Sequence, residues 1–129
     1  MAKRGISSVQ RTLRTLRNQG CVCEIVERFN SFAGPHGIRI DFLGFGDIIA
    51  LYPTGITVIQ ACGADFAAHK RKILQCEYAI EWLKSGKCEC GIQMSHIELW
   101  GWRKVLKKRG GKLKVWSPRV EKITVDALG

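Results

Sequence analysis

The sequence predicts a single α/β domain with a central mixed β-sheet flanked by helices. Three observations carry that expectation. An amphipathic helical stretch opens the chain, two apolar runs of strand length flank Pro53-Thr54-Gly55, and a second helical stretch precedes two further strand-like runs. No repeat, low-complexity segment or linker interrupts the 129 residues, which suffice for one core and read as one unit from 1 to 129.

Each element has a local reason. Ser7 or Ser8 can cap the first helix, Val9, Leu13 and Leu16 form its apolar stripe, and Asn18-Gln19-Gly20 stops it. Arg11, Arg14 and Arg17 lie off that stripe. Cys21 to Phe29 favours a strand with Glu27 near its end, and Ser31 to Gly37 is rich in turn formers. Ile38 to Phe42 alternates apolar and polar residues as a lead-in to Gly44. The runs ending at Leu51 and beginning at Ile56 then fold back as a hairpin. Asp65 is positioned to cap a second helix reaching about Leu83, with Phe66, Ile73, Ile80 and Leu83 inward and Ser85-Gly86 at its end. Ile97 to Leu106 and Lys112 to Trp116 form a last hairpin about Arg109-Gly110-Gly111. Pro118 is expected to stop the return strand, and the tail through Val120, Ile123 and Val125 to add an edge strand.

Charge narrows the function. Lys and Arg number 21 against 11 Asp and Glu, a net charge of +10 that suits a polyanion, nucleic acid being the commonest. The candidate phosphate binders are Arg11, Arg14, Arg17, Arg71, Lys72, Lys107, Lys108, Arg109 and Lys112. Trp100, Trp102 and Trp116 alternate with bases but are expected to pack rather than to stack on nucleobases. No apolar run approaches the roughly 18 residues of a membrane span. Met1-Ala2-Lys3-Arg4 opens no signal-peptide core, so a cytoplasmic protein is expected. The six cysteines include the pairs Cys21/Cys23 and Cys88/Cys90, for which disulfides are not expected. Structural Zn²⁺ on Cys88 and Cys90, supplemented by His96, is the lesser alternative to buried free thiols.

Two polar residues stand out inside the apolar hairpin. Folding at Pro53-Thr54-Gly55 brings Asp47 opposite residues 60 to 62, so a carboxylate and the Gln60 amide converge where packing alone calls for neither. Mg²⁺, which takes hard oxygen ligands and keeps several waters, would satisfy both; a solvated surface hairpin is the alternative.

Taken with the order α-β-β-β-α-β, the basic composition, Gly46-Asp47 and Gln60-Ala61-Cys62 resemble the PD-(D/E)xK nuclease superfamily, closest to its phage-type Holliday junction resolvase-like branch. The runs Arg39-x-Asp41-x-x-Gly44-Phe45-Gly46-Asp47, Arg71-Lys72-Ile73, Trp82-Leu83 and Gly101-Trp102-Arg103-Lys104 add to the likeness, which covers about residues 8–116. It implies a restriction-endonuclease-like αβββαβ core and a Mg²⁺- or Mn²⁺-dependent endodeoxyribonuclease. It also implies branched or duplex DNA as substrate, a homodimer, and a phage or prokaryotic host cytosol. Asp47, Gln60 and Glu27, with Glu24 second to it, would be the metal ligands. Asp41 is either a further ligand or, as favoured, the ion-pair partner of Arg39 or Arg71. The family's lysine position holds Cys62, so a lysine from the following helix must replace it, and Lys70 is favoured over Lys72. A catalytically inactive nucleic-acid-binding module on the same fold, zinc-stabilised or not, is the alternative.

Overall fold

The computed structural model describes residues 6–124. Residues 1–5, within the basic N-terminal stretch, and Val125 of the anticipated edge strand lie outside the described residues. Helix α1 (Ser8–Asn18) leads into β1 (Val22–Ile25). A small separate hairpin follows, β2 (Arg28–Asn30) with β3 (Ile38–Ile40). Then come β4 (Ile48–Tyr52), β5 (Gly55–Cys62), α2 (Phe66–Leu74), α3 (Glu77–Ser85), β6 (Ser95–Leu106) and β7 (Lys114–Ile123). The main sheet has the order β1-β4-β5-β6-β7, mixed because β5 and β6 run parallel while all other neighbours are antiparallel. A parallel pair needs a crossover, and α2 with α3 supplies it.

Helices cover both faces. Ser7 caps α1 by accepting from the Gln10 N–H at 3.1 Å. Leu13 and Leu16 pack with Cys23, Ile48, Ala50, Ile59, Trp100 and Trp102 on one face. Thr12 is fully buried there because its hydroxyl accepts from the Trp102 indole N–H at 2.8 Å. The opposite face joins Val58, Cys62, Ile97, Leu99 and Ile123 to Phe66, Ile73, Ala79 and Leu83 of α2 and α3.

Four expectations need correction. The single helix from Asp65 to Leu83 is two, broken at Gln75-Cys76, where Cys76 is extended (φ −84°, ψ 116°). Across that break the phase shifts, so Ala79 is buried and Ile80 only half-buried. Asp65 occupies the N-cap position without making a capping bond; its carboxylate meets His69 instead. The strand from Cys21 to Phe29 is interrupted at Val26-Glu27, and its second part pairs only with β3. Pro118 does not end the return strand. It lies opposite Trp102 within β7, tolerated because β7 is an edge strand, and the tail's Val120 and Ile123 continue that strand.

Candidate metal centre

Hairpin β4/β5 has Ile48 opposite Ile59, which sets Asp47 opposite Gln60 on the α2/α3 face. The Asp47 N–H donates to the Ile59 carbonyl at 2.8 Å, extending the ladder by one residue. Asp47 is 3% exposed and Gln60 4%. Asp47 Oδ2 accepts from Gln60 Nε2 and from the Ala61 N–H, both at 2.9 Å.

The segment before β4 delivers a second acid. Leu43 (φ 52°) and Gly44 (φ 81°) turn the chain in the left-handed region, and Phe42 and Gly46 bridge behind them. That bridge leaves Asp41 and Asp47 on its two flanks. Gly46 sits so close to β5 that a Cβ there would meet Val58 Cγ1 at 2.3 Å, so only glycine lets this turn lie flat on the sheet. A third acid comes from the interruption after β1. The Asp47 carbonyl accepts from Val26 N–H at 2.9 Å and from Glu27 N–H at 3.4 Å, which draws Glu27 alongside. One oxygen from each of Glu27, Asp41 and Asp47 lies within 4.8 Å of the others.

Electrostatics follow from that crowding. Burial, then repulsion from Asp41 and Glu27, pushes the Asp47 carboxyl up to about 8, against the lowering effect of the Ala61 N–H. The counterions are peripheral: Arg39 stands 3.9 Å from Glu27, and Lys72 3.4 Å from Asp41.

Gln60 is beside Asp47 as expected, but it reaches Asp47 through its amide N–H₂ rather than sharing an ion through oxygen. Its Oε1 is buried without a hydrogen-bond partner among the described residues. Turning the amide over would set Oε1 against Asp47, an arrangement that needs a proton or a cation between them. This orphaned oxygen and three converging carboxylates fit Mg²⁺ or Mn²⁺, which favour oxygen donors. Asp41, for which pairing with Arg39 or Arg71 was favoured, pairs with Lys72 and also belongs to the cluster. The signal for it was present in the six-residue spacing of Asp41 and Asp47 about Leu43-Gly44. Glu24 pairs with Arg17 at 3.6 Å and stands outside the cluster.

Lys70 is not beside the acids. It forms an ion pair with Glu121 on β7, so of the two lysines Lys72 is the one at the cluster. Ile73 is buried in the core, and Lys70, one turn before it on α2, meets Glu121 of β7 instead of the acids. The phosphate-binder candidates are carried by α1 on one face of the sheet, by α2 on the other, and by the turn beyond β6. Arg14, Arg71, Lys107, Lys108, Arg109 and Lys112 are exposed. Arg17 is engaged by Glu24 and the Cys23 carbonyl, and Arg11 lies over the Trp116 ring, 4.2 Å from its centroid. Helix α1 and its arginines cover the face opposite Asp47 and Gln60. The N-terminal half of α1 reaches the same end of the sheet as the acids, where Thr12 meets Trp102 one residue past the Gly101 that pairs with Cys62. β6 passes Cys62 at Gly101 and continues to Leu106, carrying the 107–112 turn roughly 20 Å beyond the sheet end that holds Glu27, Asp47 and Gln60. Trp100 and Trp102 pack as expected, while Trp116 is 44% exposed beneath Arg11 and Lys104.

Among the described residues Cys88, Cys90 and His96 do not gather as a ligand cluster. Cys88 and Cys90, expected as free thiols, are paired with each other, and His96 Nε2 lies 3.1 Å from the Thr54 carbonyl oxygen. No helix among the described residues is long and apolar enough to cross a membrane. Comparison with protein-family models, with curated protein sequences and with solved structures finds no match to this chain.

Proposed function

We propose that the chain is a metal-dependent endodeoxyribonuclease, structure-selective in the manner of the Holliday junction resolvases it resembles. The observation that carries this reading is the convergence of Glu27, Asp41 and Asp47 at the sheet end from which a basic hairpin projects. Once the β2/β3 hairpin is set aside and α2 and α3 are counted as one crossover, the order α1, β1, β4, β5, α2–α3, β6 supports the αβββαβ core that the resemblance implies.

Glu27, Asp41, Asp47 and the Gln60 oxygen would hold Mg²⁺ or Mn²⁺, which supplies Lewis acidity and a bound water of lowered pKa. The side chains do the rest. Asp47 would release its proton to solvent on taking up the cation. Lys72, its side chain 57% exposed and tethered among the described residues only by Asp41, can swing onto a non-bridging phosphate oxygen, the role Cys62 cannot fill. Lys107, Lys108, Arg109 and Lys112 grip the backbone beyond the cut site without reading sequence. Two strands cut symmetrically call for a dimer with two such centres.

The test is cleavage of four-way junction, flap, single-stranded and duplex DNA with Mg²⁺ or Mn²⁺, beside EDTA and Asp47→Asn controls. Cleavage that both controls abolish supports the reading. Salt-sensitive binding with no cleavage of any substrate would replace it with the binding-module alternative.

A further inference from the structure

The end of β5 carries a second cluster of a different chemical kind. Cys62 is its last residue, Gly63-Ala64 turn the chain, and Asp65 and His69 follow one helical turn apart on one side of α2. One ligand atom from each of Cys62, Asp65 and His69 lies within 4.8 Å of the others. We propose that these three side chains bind a borderline-soft divalent cation of the Zn²⁺ class, separately from the carboxylate cluster.

Local structure supports this in three ways. Asp65 stands at the N-cap position, yet its carboxylate is diverted from capping to His69 Nε2 at 2.9 Å. The other ring nitrogen, His69 Nδ1, is buried with no hydrogen-bond partner among the described residues. The thiol is free and 4% exposed while Asp65 is largely exposed, so the cluster has a dry floor and a solvent-facing rim. Thiolate, imidazole and carboxylate are three of the four donors that Zn²⁺ takes in a tetrahedral site, leaving the fourth position to water. Mg²⁺ disfavours sulfur, and the oxygen-only cluster of Glu27, Asp41 and Asp47 offers none, so the two centres sort cations by softness.

A nucleophilic Cys-His-Asp arrangement is the competing chemistry. It requires a thiol that a substrate can reach, whereas Cys62 is packed in the core with Val58 and Phe66. Metal binding displaces the thiol proton to solvent and leaves thiolate, carboxylate and neutral imidazole about a divalent ion with no net charge.

The test uses the full chain, metal-stripped and kept reduced, titrated with Co²⁺ and then Zn²⁺. One equivalent of Co²⁺ should give the intense visible bands of a tetrahedral site together with a near-ultraviolet thiolate-to-cobalt charge-transfer band. Zn²⁺ should erase both, and millimolar Mg²⁺ neither. The charge-transfer band should vanish in Cys62→Ser and persist in the Cys88→Ser/Cys90→Ser double variant. Asp65→Asn and His69→Gln, changes at more exposed positions, should weaken Co²⁺ binding about tenfold or more with the circular dichroism unchanged. No charge-transfer band in the native chain, a band that follows Cys88 and Cys90, or affinity unchanged in both the Asp65 and His69 variants would overturn the proposal. Because the readout is spectroscopic, failure here leaves DNA cleavage untouched, and the reverse also holds.

Discussion

Asp47→Asn in the metal-free protein measures the cost of holding a carboxylate in a buried position beside two others. Asp47 stands at about 8 against an ordinary 3.8. At ~1.36 kcal/mol for each pH unit, that difference is worth about 5–6 kcal/mol at most. Burial is the larger part of that cost and repulsion from Asp41 and Glu27 the smaller; an asparagine still buries a polar side chain, so the substitution should recover roughly half, about 2–3 kcal/mol. Its sign follows from where the proton goes. Below pH 4 the carboxyl is protonated in both folded and unfolded chains and the two proteins differ little. As pH rises, the unfolded chain ionises first and native stability falls until the folded carboxyl also ionises near 8. The advantage of Asn therefore grows between about pH 4 and 8 and is flat above. Asn keeps an oxygen for the Gln60 and Ala61 donors, so the substitution removes charge without removing either hydrogen bond. For a chain of this size the gain is a rise of roughly 8–12 °C in Tm at pH 8 with EDTA. Mg²⁺ at millimolar concentration should raise the Tm of the native protein and leave the variant unmoved. Thermal unfolding followed by circular dichroism from pH 4 to 9 reads both effects. A variant less stable than the native protein at pH 8 would refute the buried-charge reasoning.

Three further outcomes are expected. DNA affinity should fall steeply with salt and depend little on sequence, with a log–log slope of about −0.9 per neutralised phosphate; fluorescence anisotropy on two unrelated duplexes checks it, and Lys107→Ala/Lys108→Ala should shallow the slope. Lys72→Ala should slow single-turnover cleavage about 100-fold. Lys70→Ala, by contrast, should leave cleavage nearly unchanged and cost at most about 1 kcal/mol through its lost pair with Glu121, a contact shared with solvent. Gly46→Ala should destabilise by about 1–3 kcal/mol in urea titration, because its Cβ would run into Val58 unless the turn lifts from β5.

Helix α1 and the β4/β5 hairpin were legible because their side-chain periods record burial directly. Leu13 and Leu16 face the core at helical spacing, and the turn at Pro53-Thr54, with Gly55 opening β5, puts Asp47 opposite Gln60. Less legible were features that depend on what lies beside an element. Phe66, Ile73, Ile80 and Leu83 make an acceptable single-helix stripe, and nothing local reveals that the break at Cys76 brings Ala79 inward instead of Ile80. Which of Lys70 and Lys72 reaches the acids depends on their partners, Glu121 of β7 for Lys70 and Asp41 for Lys72, which no helical period records. Pro118 reads as a stop unless the strand is known to be an edge, and edge status is decided by the whole sheet. Asp41 was read as an ion-pair partner because its place in the cluster depends on the Phe42–Gly46 bridge.

The charge balance at the cluster ties these pieces to chemistry. Glu27, Asp41 and Asp47 together bring three negative charges when ionised, and Arg39 and Lys72 return two positive ones from the rim. The remaining negative charge falls on the most buried member, Asp47, which has no ion-pair partner among the described residues and holds a proton at neutral pH instead. An isolated buried carboxylate could be replaced by an apolar residue with a gain in stability, so packing gives no reason for Asp47. A divalent cation in place of that proton changes the sum from neutral to one positive charge. That is the complement of the single negative charge on a phosphodiester, and it arises where the 107–112 hairpin already projects basic side chains past the end of the sheet.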